Sequence, residues 1–222
     1  MDLNNLVPWL FIAAVLVFVI PASVYMYTLQ QRRSKAYVAF AAANGYQYVF
    51  KRPGQEAAYV NVLPMFNQGH SRTWQHELSG AFNGLAFTAF EYVYIIGYGK
   101  NQTVHRQAMI KWESAGASLP QFTLGPEGFF ARIGQALGWP DIDFSDDEAF
   151  SRSYVLKGSD EAAVRALFTP ELRAQLSSEP GQHVAGMGKV LLWWRNGSLP
   201  GPESFGAFLT AGDRVRQVFF AG

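Results

Sequence analysis

The chain contains no cysteine, which excludes a disulfide framework, thiol catalysis and cysteine-ligated zinc. It is also poor in charge. Asp, Glu, Lys and Arg make up 16% of its residues, 18 basic against 17 acidic, so no net field invites nucleic acid. His70, His76, His105 and His183 are the only histidines, and none shows the i, i+4 spacing that aims two imidazoles at one metal from a helix. There is no Gly-x-Ser-x-Gly nucleophile turn. The stretches Gly97 to Lys100 and Gly186 to Lys189 lack both the spacing of a Walker loop and its Ser or Thr after the lysine. Apolar residues, by contrast, are plentiful at 49%, with 15% aromatic. That excludes intrinsic disorder and supports a sizeable core in 222 residues.

One absence is local. No charged residue occurs from Leu3 to Gln31, and the apolar heart of that run is Trp9 to Leu29. Its length, about 31 Å as a helix, predicts a transmembrane segment. Trp9 at one end and Tyr25 and Tyr27 at the other suit the two interfaces, and Pro21 predicts a kink that membrane helices tolerate. The run is too long, and its start too poor in basic residues, for a signal peptide. Arg32, Arg33 and Lys35 follow it directly, and the positive-inside rule puts the remainder in the cytoplasm. The expected membrane-interface residues are therefore Trp9, Tyr25, Tyr27, Arg32, Arg33 and Lys35. The expected division is an anchor with its basic flank over 1–35 and a cytoplasmic domain over 36–222. That domain carries 15 basic and 16 acidic residues, again without a nucleic-acid footprint.

Within 36–222 the helix is expected to run on and stop near Gly45, a left-handed C-cap. Residues 51–72 read as irregular, with short extended pieces at Tyr46–Phe50 and Tyr59–Leu63. Asn83-Gly84, between the strand-like runs Glu77–Phe82 and Leu85–Ile96, predicts a type I′ hairpin. In Thr103–Glu113 the residues Val104, Ala108, Ile110 and Trp112 share one face, with Arg106 the exception; His105, Gln107, Met109 and Lys111 take the other. Pro126 predicts a helix start, with Phe130, Ile133 and Leu137 at helical spacing. Phe150–Leu156 reads as a strand, Ser159 as a helix cap, and Thr169-Pro170 as a second helix start. His183–Trp194 reads as a hairpin turning near Gly186–Gly188, with one Trp of Trp193-Trp194 in the core and the other free to be exposed. Pro202 opens a last helix. Clustered strands followed by helices, without strict alternation, give an α+β class. The architecture expected is an N-terminal transmembrane helix followed by an antiparallel sheet with helices packed on it.

The acidic run Asp141 to Glu148 resembles a calcium loop only at first. Its turn position holds Asp146 instead of glycine, and its bidentate position holds Arg152, so a solvated turn leading into a strand is expected. No catalytic, cofactor or metal residue is assigned. The leading expectation is a non-enzymatic, membrane-tethered interaction or sensing domain, partnered by the lipid bilayer and by a second membrane protein. The alternatives are a membrane-bound hydrolase using Asp141, Asp143 or the histidines, and a pleckstrin-homology-like lipid module.

Several segments in order carry a resemblance. Phe90-Glu-Tyr-Val-Tyr94, Leu119-Pro-Gln-Phe-Thr-Leu124 with Pro126-Glu127, and Asp141-Ile-Asp-Phe144 come first. Phe150-Ser-Arg-Ser-Tyr-Val-Leu156, Gly158, Asp160-Glu161 and Val164 to Leu172 follow. Together, over residues 78–195, they resemble an uncharacterised family of bacterial membrane-anchored proteins, in which Arg is usual where this chain has Gly125. The resemblance implies a short N-terminal anchor, one α+β domain and a bacterial inner-membrane location. It implies no activity.

Overall fold

A computed structural model describes residues 12–13, 15–52, 63–129 and 138–220. Trp9, the extended piece expected before Leu63 and the helix expected over Phe130–Leu137 lie outside the described residues. A π-helical turn, Val15–Val19, leads into helix α1, Ile20–Asn44. Gly45 ends α1 at φ 71°, its N–H capping the Ala41 carbonyl; glycine takes this left-handed geometry without a Cβ penalty. Among the described residues no helix is long and apolar enough to cross a membrane.

The chain then builds an α+β fold. Its strands are β1 (Gln47–Arg52), β2 (His70–Phe82), β3 (Leu85–Ile96), β4 (Thr103–Glu113), β5 (Leu119–Pro126), β6 (Tyr154–Gly158), β7 (His183–Gly188) and β8 (Val190–Asn196). They form one eight-stranded sheet in the order β1-β2-β3-β4-β8-β7-β5-β6, and every pairing is antiparallel. The first four strands are a meander. The β7–β8 hairpin then inserts between β4 and β5. The later helices are α2 (Glu148–Ser153), α3 (Glu161–Leu167), α4 (Pro170–Ser178) and α5 (Pro202–Phe220).

Both faces of the sheet are buried. Helices cover the first, where Tyr37 of α1, Leu78, Phe87, Ile110, Trp112, Trp193 and Phe205 of α5 join one core. Leu63, Met65 and Phe66 cover the second, over Trp74, Phe90, Tyr92, Met109 and Trp194. Trp193 and Trp194 point to opposite faces, yet both are fully buried. The expectation of one exposed ring fails because the 63–66 segment and Phe129 roof the second face. Alternation shows which face a side chain takes, and says nothing of what later covers it.

Four further local expectations need correction. Pro126, read as a helix start, ends β5 and pairs with Tyr154 of β6. Residues 70–72, read as irregular, begin β2. Phe150–Ser153 is helical because the Asp147 side chain accepts the Phe150 N–H and caps α2, overriding β-prone neighbours; the strand starts only at Tyr154. Asp160, one residue after Ser159, is the cap of α3.

The Asn83-Gly84 turn is as expected. Phe82 pairs with Leu85, and the two central residues have φ 47° and 80°. Asn83 does more than turn the chain, since its Nδ2 donates to Asp213 Oδ2 of α5 at 2.8 Å. Asn83→Val is therefore expected to lose about 2 kcal/mol, combining backbone strain with one lost bond. A melt of the purified variant checks this, and an unchanged midpoint would contradict it.

Candidate functional site

A cluster of buried polar side chains gathers where α1 meets the sheet. From residue 15 to Tyr27 the helical segment is almost wholly solvent-facing, with Tyr25 and Tyr27 exposed. Arg32 and Lys35 are also exposed, but Arg33 turns inward. One helical turn on, Tyr37 is fully buried. The basic flank expected to sit at the membrane surface is thus divided, because Arg33 belongs to the domain.

Its partner is Glu91, at the centre of β3 and fully buried on the helix-covered face. Arg33 Nη2 donates to Glu91 Oε2 at 2.6 Å and to the Leu199 carbonyl at 2.9 Å. Arg106 Nη1 reaches Glu91 Oε1 at 3.1 Å, and the Leu199 N–H donates to Oε2 at 2.8 Å. The Tyr37 hydroxyl closes the set against the Leu199 and Pro200 carbonyls at 3.0 and 2.9 Å. Arg106, the odd residue on an otherwise apolar face, is explained by this pairing. Burial alone would raise the Glu91 carboxyl, but Arg33, the Leu199 N–H and Arg106 together hold it below the usual glutamate range. The assembly is a lock: α1, β3, β4 and the segment after β8 meet on one ionised carboxylate.

Beside the lock lies His76, fully buried at φ 52°. The β2–β3 register slips between Gln75 and Leu78. This bulge swings His76 toward Tyr48, whose hydroxyl lies 2.8 Å from Nδ1, and under the Tyr37 ring at 5.1 Å. Bulges re-aim side chains in this way. Nε2 has no hydrogen-bond partner among the described residues. Burial, with Arg33 nearby, pushes the imidazole down to about 4, so it is neutral at pH 7.

The other candidates are apart from this site and from one another. His70 stacks on Tyr98 at 4.7 Å and bonds the Gly97 carbonyl at 2.9 Å, so it does not converge with His76. Asp141 pairs with Lys157. Asp146 and Asp147 are both taken by Arg173, at 2.7 and 3.1 Å, so the acidic run latches α2 to α4. Among the described residues no group of three His, Asp or Glu is placed to hold a metal. Sequence reasoning missed Glu91. The available signal was a pair of opposite charges, Glu91 and Arg106, each on the apolar face of one of two adjacent strands.

No family model and no curated protein matches the sequence. Among solved structures, the crystal structure of the mycobacterial trehalose monomycolate transport factor A, TtfA, is similar with a TM-score of 0.57, over 84% of this chain and 92% of that one. At 10% identity the likeness is one of fold.

Proposed function

We propose that this protein is a single-pass inner-membrane tether carrying a cytoplasmic, non-enzymatic binding domain, held at a fixed attitude to the bilayer. The observation that carries this reading is the continuity of α1. One helix contains the C-terminal part of the charge-free run and, from Arg33 onward, is bonded into the sheet through Glu91. A flexible linker would need neither a buried carboxylate nor a buried tyrosine at its end. The proposed span, Trp9 to Leu29, begins outside the described residues. The bilayer is the first partner, and a second membrane protein is the natural recipient of a domain held in one orientation.

Alkaline carbonate washing of bacterial membranes is expected to leave the full chain in the pellet, and a reporter fused after Gly222 is expected to be active only in the cytoplasm. Release into the supernatant would overturn the tether; activity outside the cytoplasm would overturn the orientation.

A further inference from the structure

A cavity of about 770 Å³ opens on the second face of the sheet, between the end of β3, the start of β4, the end of β8 and the turn after β5. Tyr94 and His105 stack along it at 5.1 Å and 13°, and Phe129 meets the His183 ring edge-on at 4.9 Å. Three of the polar side chains in its lining are buried: Gln68, Gln107 and His183. They are only 6, 3 and 6% exposed. Gln68 Nε2, Gln107 Oε1 and His183 Nδ1 have no hydrogen-bond partner among the described residues. Native interiors rarely leave such atoms unpaired, and here three converge on one concave, aromatic-walled space of ligand size.

The chemistry of the lining narrows the ligand. Burial pushes His183 down to about 4, so the imidazole is neutral at pH 7. Of the two charged residues at the cavity, Arg106 is engaged by Glu91 and Glu127 is exposed in the turn. A phosphate or carboxylate would therefore enter without a free cation, which is costly, and an ammonium would meet only the solvated carboxylate of Glu127. A bare alkyl chain would leave the amides and the imidazole unpaired. A ring bearing many hydroxyls meets both demands, because each hydroxyl donates and accepts while the C–H face of the ring packs on aromatic walls.

We propose that this cavity binds a neutral sugar ring, from a free saccharide or from a glycolipid headgroup. The proposal names the ligand class of the binding domain and rests on the tether reading for the glycolipid source alone. Geometry bears on that source. Arg33 lies at the level of Glu91 and Arg106, and Tyr46, just past α1, packs on Phe87. Helix α1 therefore runs against β3, which continues from Glu91 to Ile96 while β4 begins at Thr103. The cavity thus lies at the end of the sheet from which the N-terminal part of α1 departs.

The test uses the full chain in phosphatidylcholine nanodiscs with ¹⁵N-labelled histidine, which gives four imidazoles to follow. Maltose, lactose and sucrose form one arm, dodecyl maltoside and octyl glucoside a second, and dodecyl phosphocholine, with no sugar, a third. A saturable shift of the His183 nitrogens is expected with a sugar-bearing probe, weakened at least about tenfold in Gln107→Leu. That variant is expected to keep its melting temperature, since it loses no bond. Response to the free disaccharides identifies a saccharide; response to the alkyl glycosides alone identifies a headgroup. Equal response to dodecyl phosphocholine, no saturable response to any probe, or undiminished binding by Gln107→Leu would each overturn the proposal. None of these outcomes depends on whether carbonate releases the chain.

Discussion

Arg33→Met is expected to cost the domain about 3 kcal/mol, the range in which removing one partner leaves a buried charge uncompensated. Glu91 is fully buried, whereas the Arg106 side chain is 44% exposed and makes a single contact at 3.1 Å. Without Arg33 the carboxylate keeps one weak cation and the Leu199 N–H. Its folded-state pKa then rises as burial gains on the remaining donors. In the unsubstituted chain that pKa is lowered, so the stability it contributes is complete above the unfolded value of about 4.3 and disappears as pH falls through the lower folded value. In Arg33→Met the gap to the unfolded value narrows or reverses, so the acid-range loss owed to Glu91 shrinks or changes sign. Urea melts of the two proteins across the acid range check both parts, with Arg32→Met and Lys35→Met, exposed neighbours, as controls expected to stay within about 0.5 kcal/mol. A chain begun at residue 36, where the anchor was expected to end, lacks Arg33 and carries the same defect; one begun at residue 32 keeps the lock.

Acid is expected to destabilise the domain well before Glu91 titrates. His76 and His183 both have folded values near 4, against about 6.5 in the unfolded chain. Between those values the unfolded state binds more protons, so stability is full above pH 6.5 and falls as pH drops toward 4. The loss by pH 5 is on the order of 2 kcal/mol from each histidine. His76→Asn tolerates the positive φ at this bulge, and is expected to remove about half of the difference between melts at pH 7 and pH 5. A variant with the full difference would show that His76 is not held neutral by its surroundings.

Which features were legible follows from the range of the interactions that make them. Gly45, Asn83-Gly84, Thr169-Pro170 and Pro202 each act within a few residues, and the elements they bound stand where their chemistry puts them. The strand β5 has less local pattern, because its successive residues Phe122, Thr123 and Leu124, which point to alternate faces, are all fully buried, so it has no polar face. The first half of β2 is hidden for a different reason. Its bulge at His76 changes the face parity, so that Trp74 serves the second core and Leu78 the first, and no single alternation spans the strand. The lock was half visible: Arg33 stood out as basic flank and Arg106 as an exception on its face. Glu91, 58 residues from Arg33 in the chain, joins them only once the meander has formed.

Rigid continuity between α1 and the sheet is most directly measured as a distance. The chain has no cysteine, so Val24→Cys on the exposed part of α1 and Thr103→Cys at the exposed start of β4 accept two spin labels with no competing site. In lipid vesicles, pulsed electron resonance is expected to give one narrow distance distribution, which broadens when Arg33→Met is added. A broad distribution in the chain that keeps Arg33, unchanged by the substitution, would show that the helix swings freely and that Arg33 and Glu91 do not fix the domain to its tether.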